Sequence, residues 1–149
     1  MRFMLQVRAD RDTEAGVLPS KELVAAMGRF NEEMMTAGIM LAGEGLQPSS
    51  KGARISFAGG KPTVIEPPFG DPTELIAGFW IVDVTSKEAA IDWARRAPFE
   101  DGVIEIRQVF EASDFPPEIL PPEILPPEDA AREQAWRGEQ QRNSAPRSR

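Results

Sequence analysis

Four charged side chains stand where chemistry could be done. Glu44 follows a short apolar stretch and lies between Gly43 and Gly45, where a backbone without side chains can approach a ligand closely. Glu66 and Asp71 bracket the loop in VIEPPFGDPTE, residues 64 to 74. Its prolines fix their own φ and push the residues before them toward extended geometry, so the loop is stiff and displays Phe69. Either carboxylate becomes a general base if burial raises its pKa from the ordinary value of about 4. Arg107, alternating with apolar neighbours, suits a clamp on a substrate carboxylate. Each residue also has a plainer reading. Glu44 can hold a subunit contact through a salt bridge, the loop can be a connector with Phe69 in the core, an acidic loop residue can simply be solvated, and Arg107 can neutralise Glu105 or Glu44.

Composition narrows the chemistry. The 149 residues include no cysteine, no histidine and no tyrosine. Disulfides, thiolate ligands, cysteine nucleophiles, Ser-His-Asp triads and histidine-based metal centres are thereby excluded, and proton transfer falls to carboxylates, Lys, Arg or water. Carboxylates such as Glu44 and Asp71 would take only hard cations. No calcium-loop spacing and no Gly-rich phosphate loop occurs, so neither a metal nor a cofactor is expected. A net charge of −7 with scattered basic residues repels phosphate backbones, which argues against nucleic acid. No apolar run approaches the ~20 residues of a membrane span. The start, MRFMLQVRAD, carries no evident signal peptide, so a cytoplasmic protein is expected.

The elements that must position these groups follow from periodicity. Residues 3 to 8, FMLQVR, alternate Phe3, Leu5 and Val7 on one face with Met4, Gln6 and Arg8 on the other. Ser20 caps a helix with an apolar stripe of Leu23, Met27, Phe30 and Met34, stopped at Gly38. IMLAGEGL reads as a strand with Ile39 and Leu41 on one side and Met40, Ala42 and Glu44 on the other. RISFAGGKPTVI, residues 54 to 65, is a hairpin turning at Gly59 and Gly60, with Pro62 marking a sheet edge. IAGFWIVDV, residues 76 to 84, is a strand apolar on both faces. Ser86 caps a helix, SKEAAIDWARRA, stopped by Pro98, and VIEIRQVF closes the domain as a strand.

Without the hairpin the order is βαββαβ, the ferredoxin-like pattern of an α+β domain. Two helices cover one face of such a sheet, yet the strand at 76 to 84 is apolar on both. A second copy of the chain is the simplest cover for the other face, giving a homodimeric α+β barrel. That face would carry Met4, Gln6, Glu44, Glu105 and Arg107, enough polarity to suggest a cavity with apolar walls and a few charges. Gln6, Phe69 and Trp80 join Arg107 as candidate substrate-binding residues, although Phe69, Phe79 and Trp80 also suit a core.

Beyond residue 112 the composition shifts. PPEIL occurs at 116 to 120 and 121 to 125, and PPEDA continues the register. Paired prolines impose extended backbone, so 116 to 126 reads as a strap whose Ile119, Leu120, Ile124 and Leu125 dock in apolar grooves. A polar helix is expected from about Pro127 to Gln141, anchored by Trp136, with a mobile end. A wholly mobile, solvated tail is the alternative for 113 to 149.

Over residues 1 to 112 the chain resembles the YCII-related family, in its DGPF-domain branch. The likeness rests on RFMLQV, FNEEMMTAG, IMLAGEGLQPS, EPPFGDPTE, IAGFWIVDV, AAIDWARRAP and VIEIRQV, with LAGEGLQPS the most specific. The family's DGPF stands here as Glu66, Pro67, Pro68 and Phe69; Asp71 and Glu74 keep acidic positions of the segment that follows, while Pro72 and Thr73 depart from it. The resemblance implies a ferredoxin-like domain pairing into a dimeric barrel. Related enzymes use a His and Asp pair for lyase or dehydrochlorinase chemistry on small aromatic compounds, a role this chain cannot fill without histidine. Genes of the branch neighbour extracytoplasmic-function sigma factors. Two functions remain open: a cofactor-independent lyase or isomerase for a small organic molecule, with Glu44, Asp71 and Glu66 as catalytic candidates, or an inert ligand-binding or regulatory module.

Overall fold

The computed structural model describes residues 1–119. Two compact units divide the chain, Met1–Gln108 and Val109–Arg149. The first contains β1 (Arg2–Arg8), α1 (Arg11–Glu14), α2 (Lys21–Thr36), β2 (Met40–Gly45), β3 (Arg54–Ala58), β4 (Lys61–Ile65), β5 (Ile76–Asp83), α3 (Lys87–Ala94) and β6 (Ile104–Gln108). Strands β2, β5, β1 and β6 form one antiparallel sheet in that spatial order, while among the described residues β3 and β4 pair only with each other. This is the ferredoxin-like α+β arrangement with a hairpin inserted between its second and third strands. No helix among the described residues is long and apolar enough to cross a membrane.

The helices begin where their caps dictate. The Ser20 hydroxyl accepts from the Leu23 N–H, and the Ser86 hydroxyl from the Ala89 N–H, each satisfying a donor that a helix start leaves unpaired. Phe30 and Met34 from α2 and Ala90 from α3 are buried against Phe3, Leu5, Trp80 and Val82 of the sheet. Helix α3 gives way to turns at Arg95, earlier than the expected stop at Pro98. Helix α1 has no counterpart in the sequence expectations: at four residues it is too short to show a period, and a capping box between Asp10 and Thr13 holds it.

Trp80 lies at the centre of the core. It is 3% exposed, meets Phe30 edge-on at 5.4 Å and Phe99 at 6.3 Å, and its indole N–H donates to Asn31 Oδ1 at 2.8 Å. Strand β2 departs from simple alternation. The register slips between Met40, opposite Val82, and Ala42, opposite Ile81. A bulge of this kind puts one extra residue in the strand, so Met40 joins the helix-covered side instead of sharing a face with Ala42 and Glu44.

In the second unit, a 3-10 turn at Ala112–Asp114 carries a capping box from Glu111, and the rings of Phe110 and Phe115 lie 5.0 Å apart. The first proline repeat bends rather than extends: the Ile119 N–H donates to the Pro116 carbonyl at 2.9 Å, closing a turn, and Ile119 is exposed. The rest of the expected strap, from Leu120 to Leu125, and the expected helix with Trp136 lie outside the described residues.

Candidate functional site

The bare face of the sheet holds several of the sequence candidates in two rows. Residues directly opposite across neighbouring strands share a face. Register therefore aligns Glu44, Phe79, Gln6 and Glu105 across β2, β5, β1 and β6, and beside them Ala42, Ile81, Met4 and Arg107. The middle is half-buried, with Met4, Phe79 and Ile81 around Gln6, and the charged groups sit at the margins. With strands ~4.8 Å apart and a rise of ~3.4 Å per residue, Glu44 and Arg107 stand roughly 16 Å from each other in one chain. Arg107 leans on Glu105, Nη1 to Oε2 at 3.5 Å, and Glu105 takes a closer bond from Arg8 Nη2 at 2.8 Å. The Arg8 hydrogen bond, then its charge, and then Arg107 hold the Glu105 carboxyl below the usual glutamate value.

Trp80 does not share that face. As β5 alternates, Phe79 and Ile81 point one way and Trp80 and Val82 the other, so Trp80 belongs to the core beneath the helices and away from Gln6 and Glu44. The same geometry explains Gly43. It sits opposite Trp80, and a Cβ there would lie 2.6 Å from Met40 Cε and 2.8 Å from Trp80 Cδ1. Gly43 thus makes room for the indole.

The proline loop carries the remaining candidates. Phe69 is half-buried under Arg54, with the guanidinium carbon 4.3 Å from the ring centroid, and Arg54 Nη1 also reaches the Phe69 carbonyl at 3.5 Å. Asp71 caps the 3-10 turn Pro72–Glu74, accepting from the Thr73 N–H at 2.9 Å and the Thr73 hydroxyl at 2.8 Å. Those bonds, the backbone one first, push its carboxyl below the ordinary aspartate value and leave it a weaker base. Glu66 is exposed.

A groove of about 1010 Å³ opens elsewhere, and none of the sequence candidates lines it. Its apolar walls come from Val7, Leu23, Ala26, Ala77, Phe99 and Val103, and Asp10, Glu22, Glu74, Glu100 and Asp101 add carboxylates. Four elements meet there. The Arg8 N–H donates to the Val103 carbonyl at 2.9 Å and the Ala9 N–H to the Leu75 carbonyl at 3.0 Å, tying the end of β1 to the loops that precede β5 and β6. Arg8 reaches the Glu74 carbonyl at 3.4 Å while paired with Glu105. Asp10 is occupied at the α1 cap, and the Thr13 N–H in particular holds its carboxyl below the usual value. The groove's residues are spread from 7 to 103, so no local pattern in the sequence marks it. Among the described residues, no group of three or more acidic side chains is arranged to hold a metal ion.

The family model of the YCII-related domain matches residues 1–113, which is the sheet, its helices, the hairpin and a few residues beyond. No curated protein matches the chain.

Proposed function

The chain belongs to the YCII-related family, and on that footing we propose that it is a dimeric small-molecule-binding protein without turnover of its own. The groove carries this reading: its volume suits a drug-sized ligand, and a few polar groups stand among apolar walls. Five carboxylates against one arginine already engaged by Glu105 disfavour an anion, so the ligand is an uncharged or cationic organic molecule with an apolar body. Turnover by acid/base chemistry would need a group with proton affinity near the working pH. Hydrogen bonds instead push Asp10, Asp71 and Glu105 down.

For Asp71 this favours the binding module over a lyase or isomerase, and the other residues of that enzyme reading, Glu44 and Glu66 as bases with Gln6, Phe69 and Arg107 around the substrate, stand outside the groove. In our reading the second copy covers Met4, Phe79 and Ile81, with Gln6 among them and Glu44, Glu105 and Arg107 along the seam. Placement in the DGPF-like branch, through Glu66 to Phe69, is part of the same proposal.

Ligand-observed NMR with a matched pair of probes, 1-naphthylmethylamine and 1-naphthoate, tests the groove. The amine should bind in preference, and Ala26→Phe, which fills the groove, should abolish its binding while the fold is retained. Equal binding of both probes, or binding that survives Ala26→Phe, would contradict the assignment.

A further inference from the structure

The inserted hairpin exposes an apolar face. Register sets Ile55 opposite Val64 and Phe57 opposite Pro62, all four on one side of the ribbon, and Ile55, Phe57 and Val64 are 50%, 72% and 59% exposed. Every residue of β3 and β4 is exposed. A lone two-stranded ribbon is marginal in water, so such a face calls for a cover. The arm is nonetheless well shaped. Gly59 and Gly60 at φ 57° and 78° form the tight two-residue turn whose twist matches the strands, and Arg54 stacked on Phe69 braces the base.

Charge points to what covers it. Residues 51 to 65 contain Lys51, Arg54 and Lys61 and no carboxylate, although the chain as a whole carries −7. The groove has the opposite make-up, apolar walls from Val7, Leu23 and Phe99 with Glu22, Glu74 and Glu100 beside them. A basic ribbon with an apolar face and an acidic groove with apolar walls are complementary in both respects. The two features also lie at the same end of the sheet: the Leu46 N–H, on the way into the hairpin, donates at 2.8 Å to the carbonyl of Ala77, which lines the groove.

We infer that the hairpin of a second copy seats over the groove and closes it, with Phe57 facing the apolar walls and Lys61, which the register puts on the other face of the ribbon beside the turn, extending its long side chain to the carboxylates at the rim. The chain's own hairpin stands fully exposed and braced at its base, so the occupant comes from the partner. A two-fold dimer makes this exchange twice, by identical contacts, and the ligand site proposed above is complete only in the dimer. Only the completion of a ligand site rests on the groove being that site; the hairpin seat rests on the two surfaces themselves.

The chain has no cysteine, so introduced ones report unambiguously. Phe57→Cys and Glu100→Cys proteins, mixed and oxidised, should give a disulfide-linked species of twice the chain mass, well above the yield from Phe57→Cys mixed with Lys87→Cys. Adding Lys61→Glu should lower that yield several-fold, and Glu74→Lys in the partner should restore part of it. A yield no higher than the Lys87→Cys control overturns the inference. So does a chain carrying both Phe57→Cys and Glu100→Cys that links only within itself. Absence of naphthylmethylamine binding to the unmodified protein, with cross-linking intact, would instead remove the ligand reading and leave the hairpin seat standing.

Discussion

The two faces of one sheet have opposite fates, though the same strands build both. On the helix-covered side Phe3, Leu5, Trp80 and Val82 are buried; one residue along, on the bare side, Met4, Gln6, Phe79 and Ile81 are half-exposed. Alternation alone separates them. The comparison teaches that apolar content does not by itself locate the core: Phe79 and Ile81 are as hydrophobic as Trp80 and Val82, and what distinguishes them is that α2 and α3 lie on only one side.

The comparison sharpens most at Trp80. Trp80→Ala removes the ring packed between Phe30 and Phe99, and a change of this kind costs about 3 to 5 kcal/mol, readable by chemical denaturation. Phe79→Ala on the other face should cost the isolated chain far less. Gly43→Ala comes next, since the added methyl meets Met40 and Trp80; overpacking of this kind costs about 1 to 3 kcal/mol. Gly45→Ala is the control, because nothing lies near a Cβ there, and it should change stability little. On the bare face, Ile81→Asp should leave secondary structure intact and weaken self-association by roughly tenfold or more, about 1.4 kcal/mol, in sedimentation. If Ile81→Asp unfolds the chain instead, the two faces are not as different as described.

The smallest effect belongs to the charges at the margin of the bare face. Glu105 has a folded-state pKa below its ordinary 4.5, so its pairing with Arg8 and Arg107 stabilises fully above that value and is lost as pH falls through the lowered one. Glu105→Gln should therefore melt a little lower than the unaltered protein at pH 7 and match it more closely near pH 3. The difference is small because the pair is solvent-screened.

Most of the fold was legible in the sequence because its signals are local. Ser20 and Ser86 announce their helices, Gly59-Gly60 announces the hairpin, and Phe3 to Arg8 alternate with period two. The bulge in β2 was not legible, since a single extra residue leaves the composition of IMLAGEGL unchanged while moving Met40 to the other face. The packing need at Gly43 was hidden for a related reason: it comes from Trp80, which is 37 positions away and adjacent only once β2 and β5 pair. Of the charged candidates, Glu44 and Arg107 share the bare face because strands display alternate residues together, while Glu66 and Asp71 stay on the proline loop. The groove depends on tertiary closure between Val7, Leu23, Ala77 and Phe99, and no spacing in the chain encodes that meeting.

The most direct test of the central claim is amide chemical-shift mapping of the full chain with 1-naphthylmethylamine. The account predicts saturable shifts concentrated at Val7, Leu23, Ala26, Ala77, Phe99 and Val103, and little change at Met4, Phe79, Ile81 and Arg107. Shifts centred on those bare-face residues, or scattered without saturation, would contradict it.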